Sequence, residues 1–236
     1  MDNIITLGEP IIVKEIIRGL DSNELRTLAK KDEVLTEYGS PAYTSKIKSR
    51  SAKFTEIIYD QLTESQIKTI REVNKRLKDQ RMICADRMMC QSKDFSVHCR
   101  TYVTADYARL AYMWHETLFP AGAHPENKPV DSTVIDVPEW PERKVLVLPD
   151  IQLTYILGTD YFGEIKKANL RMGMYLAKRK GWLGLHAASK IIRAKDVSGN
   201  LTEKGVIIFG LSGTGKTSPK GTRSSPGAPW RTPRSA

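Results

Sequence analysis

The run Gly210-Leu211-Ser212-Gly213-Thr214-Gly215-Lys216-Thr217 follows directly on the apolar stretch Val206-Ile207-Ile208-Phe209. An apolar strand feeding a glycine-rich loop that ends in Lys-Thr has the spacing of a phosphate-binding loop, and few folds can carry one. Gly210, Gly213 and Gly215 let the backbone turn tightly and gather its N–H groups into one concavity for phosphate oxygens. Leu211, Ser212, Thr214 and Ser218 complete the cradle around them. Lys216 supplies a cation toward the β- and γ-phosphates, and the Thr217 hydroxyl is placed to ligate Mg2+. The expectation is an α/β chain that binds ATP, with residues 206–209 as a buried strand.

Beyond Thr217 the character of the sequence changes. A working loop runs into a helix whose dipole helps hold the phosphates. Here Gly221, Pro226 and Pro229 oppose a stable helix, and no Asp or Glu occurs after Glu203. Residues 218–236 have little to bury except Trp230, so a disordered segment is expected there. The abrupt change inside a motif reads as an aberrant tail from a frameshift or mis-splicing.

The rest of the composition narrows the class. Hydrophobic residues make up 40% of the 236, enough to bury a core. No stretch is apolar for the ~18 residues a membrane helix needs, and Met1 to Pro10 has no signal-peptide core, so no membrane partner is expected. Cys84, Cys90 and Cys99 have no metal-ribbon spacing, read as small core residues, and fit a cytoplasmic location. The net charge of +10 suits nucleic acid, or a solvated basic surface with sites for anionic metabolites. The absence of basic–aromatic interleaving or a recognition motif favours the second, and Lys220, Arg223, Arg231 and Arg234 inflate the figure.

Periodicity supplies elements. Residues 1–60 read as irregular to mixed, with a long polar loop over 38–54. Thr63 and Gln66 form a capping-box pattern ahead of Ile67, Ile70, Val73 and Leu77 at helical spacing. Met82-Ile83-Cys84-Ala85 and Val145-Leu146-Val147-Leu148 predict short buried strands. Thr104 is expected to cap a helix carrying Tyr107, Leu110, Ala111, Trp114 and Leu118, ended by Pro120. Residues 163–180 predict a helix with Ile165, Ala168, Met172, Tyr175 and Leu176 on one side and Gly181 as its stop, followed by a hairpin around Ser198-Gly199-Asn200. His115-Glu116 suggests a zinc-protease motif, but Phe119 stands where the second histidine is required.

Tyr161, Lys167 and His186 each have an ordinary structural reading taken alone: a solvated lysine, a histidine packed among apolar residues. Taken in order, GTDYFGEIKK, GLHAAS and VIIFGLSGTGKT resemble ATP-dependent phosphoenolpyruvate carboxykinases, whose corresponding stretches read G-x-W-Y-G-G-E-x-K-K, S-M-H-C/A-S and F-F-G-L-S-G-T-G-K-T. SVHCRTYVT is similar to that family's S-V-R-x-I-T segment, and the loop differs from the Ala-Cys version of the GTP-dependent relatives. The resemblance is clear from about residue 80 to 217 and faint before that. It implies decarboxylation of oxaloacetate with phosphoryl transfer from ATP to give phosphoenolpyruvate, CO2 and ADP, a gluconeogenic step. It further implies that Lys167 (as the free amine) and His186 bind a catalytic Mn2+, that Tyr161 lines the oxaloacetate/CO2 site, and that Lys216 acts on the phosphates. Arg50 is the candidate for a bidentate clamp on a substrate carboxylate.

Two positions depart from the family pattern beside Tyr161: Asp160 stands for a tryptophan and Phe162 for a glycine. The domain organisation implied is a substrate-binding α/β domain over 1–204, the first strand and phosphate loop of a nucleotide-binding domain over 205–217, and the tail 218–236. Lacking an acidic metal segment and a post-loop helix, these residues are expected to be inactive alone. A different phosphate-loop small-molecule kinase, and a non-catalytic basic nucleic-acid-binding protein, stay open as alternatives.

Overall fold

Alternating apolar strands and capped helices dominate the chain, as a computed structural model describing residues 2–6, 9–47, 52–122 and 129–210 shows. In chain order the elements are β1 (Asp2–Thr6), β2 (Glu9–Val13), β3 (Glu15–Ile17), α1 (Ser22–Ala29), β4 (Val34–Leu35), β5 (Pro41–Ala42), β6 (Thr55–Ile57), α2 (Glu64–Leu77), β7 (Arg81–Met89), β8 (Val97–Thr104), α3 (Ala108–His115), β9 (Phe119–Pro120), β10 (Ser132–Val137), β11 (Lys144–Leu148), β12 (Leu153–Leu157), α4 (Phe162–Arg179), β13 (Ala188–Lys195) and β14 (Leu201–Ile208). They fall into two compact units, Met1–Trp182 and Leu183–Ala236.

The first unit is built on a mixed sheet of order β3-β7-β8-β10-β12-β11-β6, with β9 paired to β7. β8, β10 and β12 run parallel at its centre, and β3/β7 and β11/β6 are parallel as well. This is the α/β class that the sequence implies. Register sorts the strands' side chains into two layers. Cys84, Tyr102, Ile135, Tyr155 and Leu146 lie in one row across five strands, in a core shared with Ile70, Val73 and Leu77 of α2. On the opposite face the neighbouring row is Ile83, Val103, Asp136, Ile156 and Val145. Its apolar members share a core with Leu25 of α1, Leu110, Ala111 and Trp114 of α3, and Ile165, Ala168 and Met172 of α4. Trp114 Nε1–H donates to Asn169 Oδ1 at 2.7 Å, and Asn169 Nδ2–H donates to Ser132 Oγ at 3.1 Å, so a buried polar chain ties α3, α4 and β10.

Local signals performed unevenly. The Thr63/Gln66 capping box is present, and α4 ends at a C-cap Lys180 with Gly181 at φ +77°. The strand predicted at 82–85 extends to nine residues in β7. α1 also carries a complete capping box, formed by Asp21 and Glu24. The helix at 104–118 is corrected at both ends. Thr104 makes no side-chain cap; its hydroxyl donates instead to Glu139 at 2.8 Å, and a 3-10 turn separates it from α3. α3 ends at His115, before Pro120, because Phe119 and Pro120 are drawn into pairing with Met88 and Arg87 of β7. Cys84 and Cys99 are core residues as expected, whereas Cys90 is exposed with φ +72°.

The second unit is described by the antiparallel ribbon β13–β14, in register from Ala188↔Ile208 to Lys195↔Leu201. Its turn is held by Asp196, whose carboxylate accepts from the N–H groups of Ser198 and Asn200 at 2.8 and 2.9 Å. The strand expected over residues 206–209 forms as the end of β14, closing at Ile208, but not as a buried one. Ile207 is 60% and Phe209 71% exposed, because β14 has β13 as its ladder partner and no covering layer among the described residues.

Candidate functional site

β8, β10 and β12 end together at Thr104, Val137 and Leu157, the carboxyl edge where α/β sheets place ligands. From that edge the loop Gly158-Thr159-Asp160-Tyr161 leads into α4. Gly158 has φ +68°, and a Cβ on it would sit within 3 Å of the Glu142 and Trp140 carbonyl oxygens, so the loop leaves β12 by a path open to glycine.

Asp160 is 1% exposed and fully engaged. Its Oδ1 accepts from the Ile47 N–H at 2.6 Å, and its Oδ2 accepts from the Lys46 N–H at 2.8 Å and from Arg109 Nη2. Ser45 Oγ–H donates to the Asp160 carbonyl at 3.1 Å, and Thr159 Oγ1–H donates to the Ile47 carbonyl at 2.7 Å. Arg109 is 3% exposed, reaches Asp32 with its other terminal nitrogen at 2.9 Å, and packs over the Tyr107 ring at 5.1 Å. A chain segment more than a hundred residues upstream is thereby tied to the loop that carries Tyr161.

Tyr161 opens α4. Its N–H donates to Thr159 Oγ1 at 3.2 Å, and its carbonyl accepts from the Glu164 N–H at 2.9 Å. Lys167, exposed on the first turns of the helix, brings its ammonium to 5.9 Å from the centre of the half-buried Tyr161 ring. The ring also lies across Gly163, where any Cβ would collide with it. A phenol, a cation and the positive end of an 18-residue helix thus share one locality, an arrangement suited to an anion.

Beneath this surface lies an acidic cluster that sequence reasoning missed. Asp136 interrupts an otherwise apolar sheet row, and Glu164 faces inward from α4. Asp136 Oδ1 and Glu164 Oε2 are buried and lack hydrogen-bond partners among the described residues. Burial pushes the Asp136 carboxyl well above the usual range, Glu139, Asp160 and Glu164 add to the effect, and Arg109 opposes it. Arg171, on the same helix, has its guanidinium pKa lowered by burial, with Glu164 opposing. The one sequence signal for any of this was Asp160, an acid where the similar family has an indole.

The remaining site residues fall elsewhere. His186 is exposed in the extended stretch before β13, in the second unit, and Gly210 is exposed just past β14. Arg50 and Leu211, Ser212, Gly213, Thr214, Gly215, Lys216, Thr217 and Ser218 lie outside the described residues. Among the described residues no group of three or more His, Cys, Asp and Glu could hold a metal ion, and no helix is long and apolar enough to cross a membrane.

Fold and site together define an α/β domain with a phenol, a cation and a helix start gathered at the carboxyl edge of a parallel-centred sheet. The family it comes from follows from comparison with known proteins. The phosphoenolpyruvate carboxykinase family matches residues 14–220. Phosphoenolpyruvate carboxykinase (ATP) of Aeropyrum pernix is 34% identical over 196 residues, covering 75% of this chain and 39% of that protein. The Lysinibacillus sphaericus enzyme of the same name is 31% identical over 122 residues (45% of this chain, 22% of that protein), and the glycosomal enzyme of Trypanosoma brucei brucei is 44% identical over 62 residues (26% and 11%). The chain belongs to the phosphoenolpyruvate carboxykinase family and spans about two fifths of the length of its Aeropyrum relative.

Proposed function

We propose that this chain carries the oxaloacetate side of an ATP-dependent carboxykinase together with its phosphate loop. The observation that carries the reading is the pairing of Tyr161 with Lys167 at the sheet's carboxyl edge, within the span that matches the family. The reaction is oxaloacetate plus ATP to phosphoenolpyruvate, CO2 and ADP. Loss of CO2 leaves an enolate whose developing charge needs fixed cations, and the γ-phosphoryl group then passes to that enolate oxygen.

In this reading Tyr161 faces the departing carboxylate, and Lys167, as the free amine, supplies a nitrogen donor beside it. Arg50 clamps a substrate carboxylate. Support for that role is the anchoring of Ile47, three positions earlier in the sequence, by Thr159 and Asp160. Lys167 and His186 are nitrogen donors of the kind Mn2+ accepts, and the ion would supply Lewis-acid polarisation of the oxaloacetate oxygens when bound. Gly210, Lys216 and Thr217 serve ATP and Mg2+ through the loop pattern. A cytoplasmic, gluconeogenic role and the division into 1–204, 205–217 and 218–236 belong to the same proposal.

These 236 residues by themselves do not turn over, because no carboxylate follows Glu203 to complete a metal site beyond the loop. Isothermal titration of the chain with phosphoenolpyruvate in the presence of Mn2+ tests the substrate side. Lys167→Met is expected to weaken binding by at least about tenfold, or ~1.4 kcal/mol. Unchanged affinity in that variant sinks the reading, and formation of phosphoenolpyruvate from oxaloacetate and ATP by the isolated chain overturns the inactivity.

A further inference from the structure

We infer that Asp160 is a positioning residue, whose carboxylate fastens the strap of residues 43–47 to the loop that presents Tyr161. The role assigned to Tyr161 rests on the functional reading above, but the fastening stands on geometry alone.

The strap belongs to no sheet ladder among the described residues. Its start is fixed by Tyr43, whose hydroxyl donates to Glu33 at 3.0 Å and whose ring meets Tyr112 edge-on at 5.8 Å. Its far end is fixed by Asp160 and Thr159. Backbone N–H groups drawn out of water need partners, and those of Lys46 and Ile47 find theirs in one carboxylate. A carboxylate accepting from two amides and a guanidinium makes charge-assisted bonds, the strong kind.

A purely structural ion pair would need none of this. Arg109 is already served by Asp32, so Asp160 is not required merely to neutralise it. What Asp160 adds is the link to the strap. Because Tyr161 is the next residue, any loosening of Asp160 reaches its ring, which lies across Gly163.

Amide hydrogen exchange on the full chain tests the assignment, with Asp160→Asn against Asp32→Asn as control. Asp160→Asn keeps the shape but loses the ion pair and an acceptor. The Lys46 and Ile47 amides are expected to exchange at least about tenfold faster in it, while Ile135 and Tyr155 in the sheet are unchanged. Asp32→Asn should leave the strap amides as they are. Equal strap exchange in both variants, or a uniform rise that includes Ile135 and Tyr155, overturns the inference. Should Asp160→Asn fail to fold, Asp160→Glu decides: it keeps a charge for Arg109 but moves the carboxylate away from the Lys46 and Ile47 amides, and unaltered exchange at those amides then refutes the fastening. Phosphoenolpyruvate affinity, measured with Mn2+ present, should fall in Asp160→Asn and hold in Asp32→Asn. A loosened strap with undiminished affinity overturns the positioning role. If the unsubstituted chain has no affinity for phosphoenolpyruvate, the functional reading fails, and the exchange rates alone settle the fastening.

Discussion

Lys167 and His186, the two residues proposed to hold Mn2+, sit in very different surroundings. Lys167 stands on an 18-residue helix whose inward face is buried, and the loop before it is pinned by Asp160, Thr159 and Arg109. His186 lies on an extended, exposed stretch leading into a two-stranded ribbon whose outer face shows Ile191, Leu201 and Ile207 to solvent. The first locality is preformed by long-range packing; the second is shaped by a turn and one ladder. Isolated two-stranded ribbons are marginal in water, so the ribbon lacks the means to hold a ligand rigidly by itself.

The largest test of this contrast removes the cation from the first locality. Arg109→Leu leaves Asp32 and Asp160 without their shared partner and deprives nearby Asp136 of a positive charge that opposes its acidic neighbours. Denaturant unfolding is expected to show a loss of ~3–5 kcal/mol, as for breaking a buried ion pair by removing one member. A loss below ~1 kcal/mol, the range of surface pairs, would erase the distinction drawn between the two regions.

A smaller effect comes from Asp136. Its folded carboxyl is raised above the ~3.9 of an unfolded aspartate, so the folded state holds that proton more tightly. The stability linked to it is fully present below the unfolded value and is lost as pH rises through the folded one. Asp136→Asn should therefore raise Tm at pH 8, with the gain shrinking toward pH 4. A gain that grows on acidification would reverse the sign and place the carboxylate in its charged form. Glu33 acts in a separate window. Bonds from Arg26, Lys30 and Tyr43 lower its carboxyl to about 2, so its contribution is present above the ordinary value and fades as pH falls toward 2.

The smallest effect belongs to the ribbon. Ile207→Ser, on its exposed face, should change stability by less than ~0.5 kcal/mol in the same unfolding measurement. A larger loss would mean that the ribbon face is covered in solution and would bring the two regions closer in kind.

What could be read from residue order alone depends on interactions spanning a few positions. The Thr63/Gln66 box, α4 with its Gly181 stop, the strands at 82–85 and 145–148 and the turn at 196–200 are all of this sort, and each is present. The motif order Tyr161, Lys167, His186 and the phosphate loop likewise marked the family without any knowledge of contacts. Local expectations failed where distant segments intervened: β7 captured Phe119 and shortened α3, and Glu139, in the turn after β10, took the Thr104 hydroxyl that was expected to cap a helix.

The charges at positions 32, 109 and 160 belong wholly to the tertiary structure. A carboxylate or guanidinium tolerates burial only when its partners arrive with it, and here they come from segments 51 to 114 residues apart. Asp160 shows the division most plainly. Residue order marked it as the acid beside Tyr161 in place of an indole, but only folding, by bringing Lys46, Ile47 and Arg109 to it, decided that it would serve as a fastening.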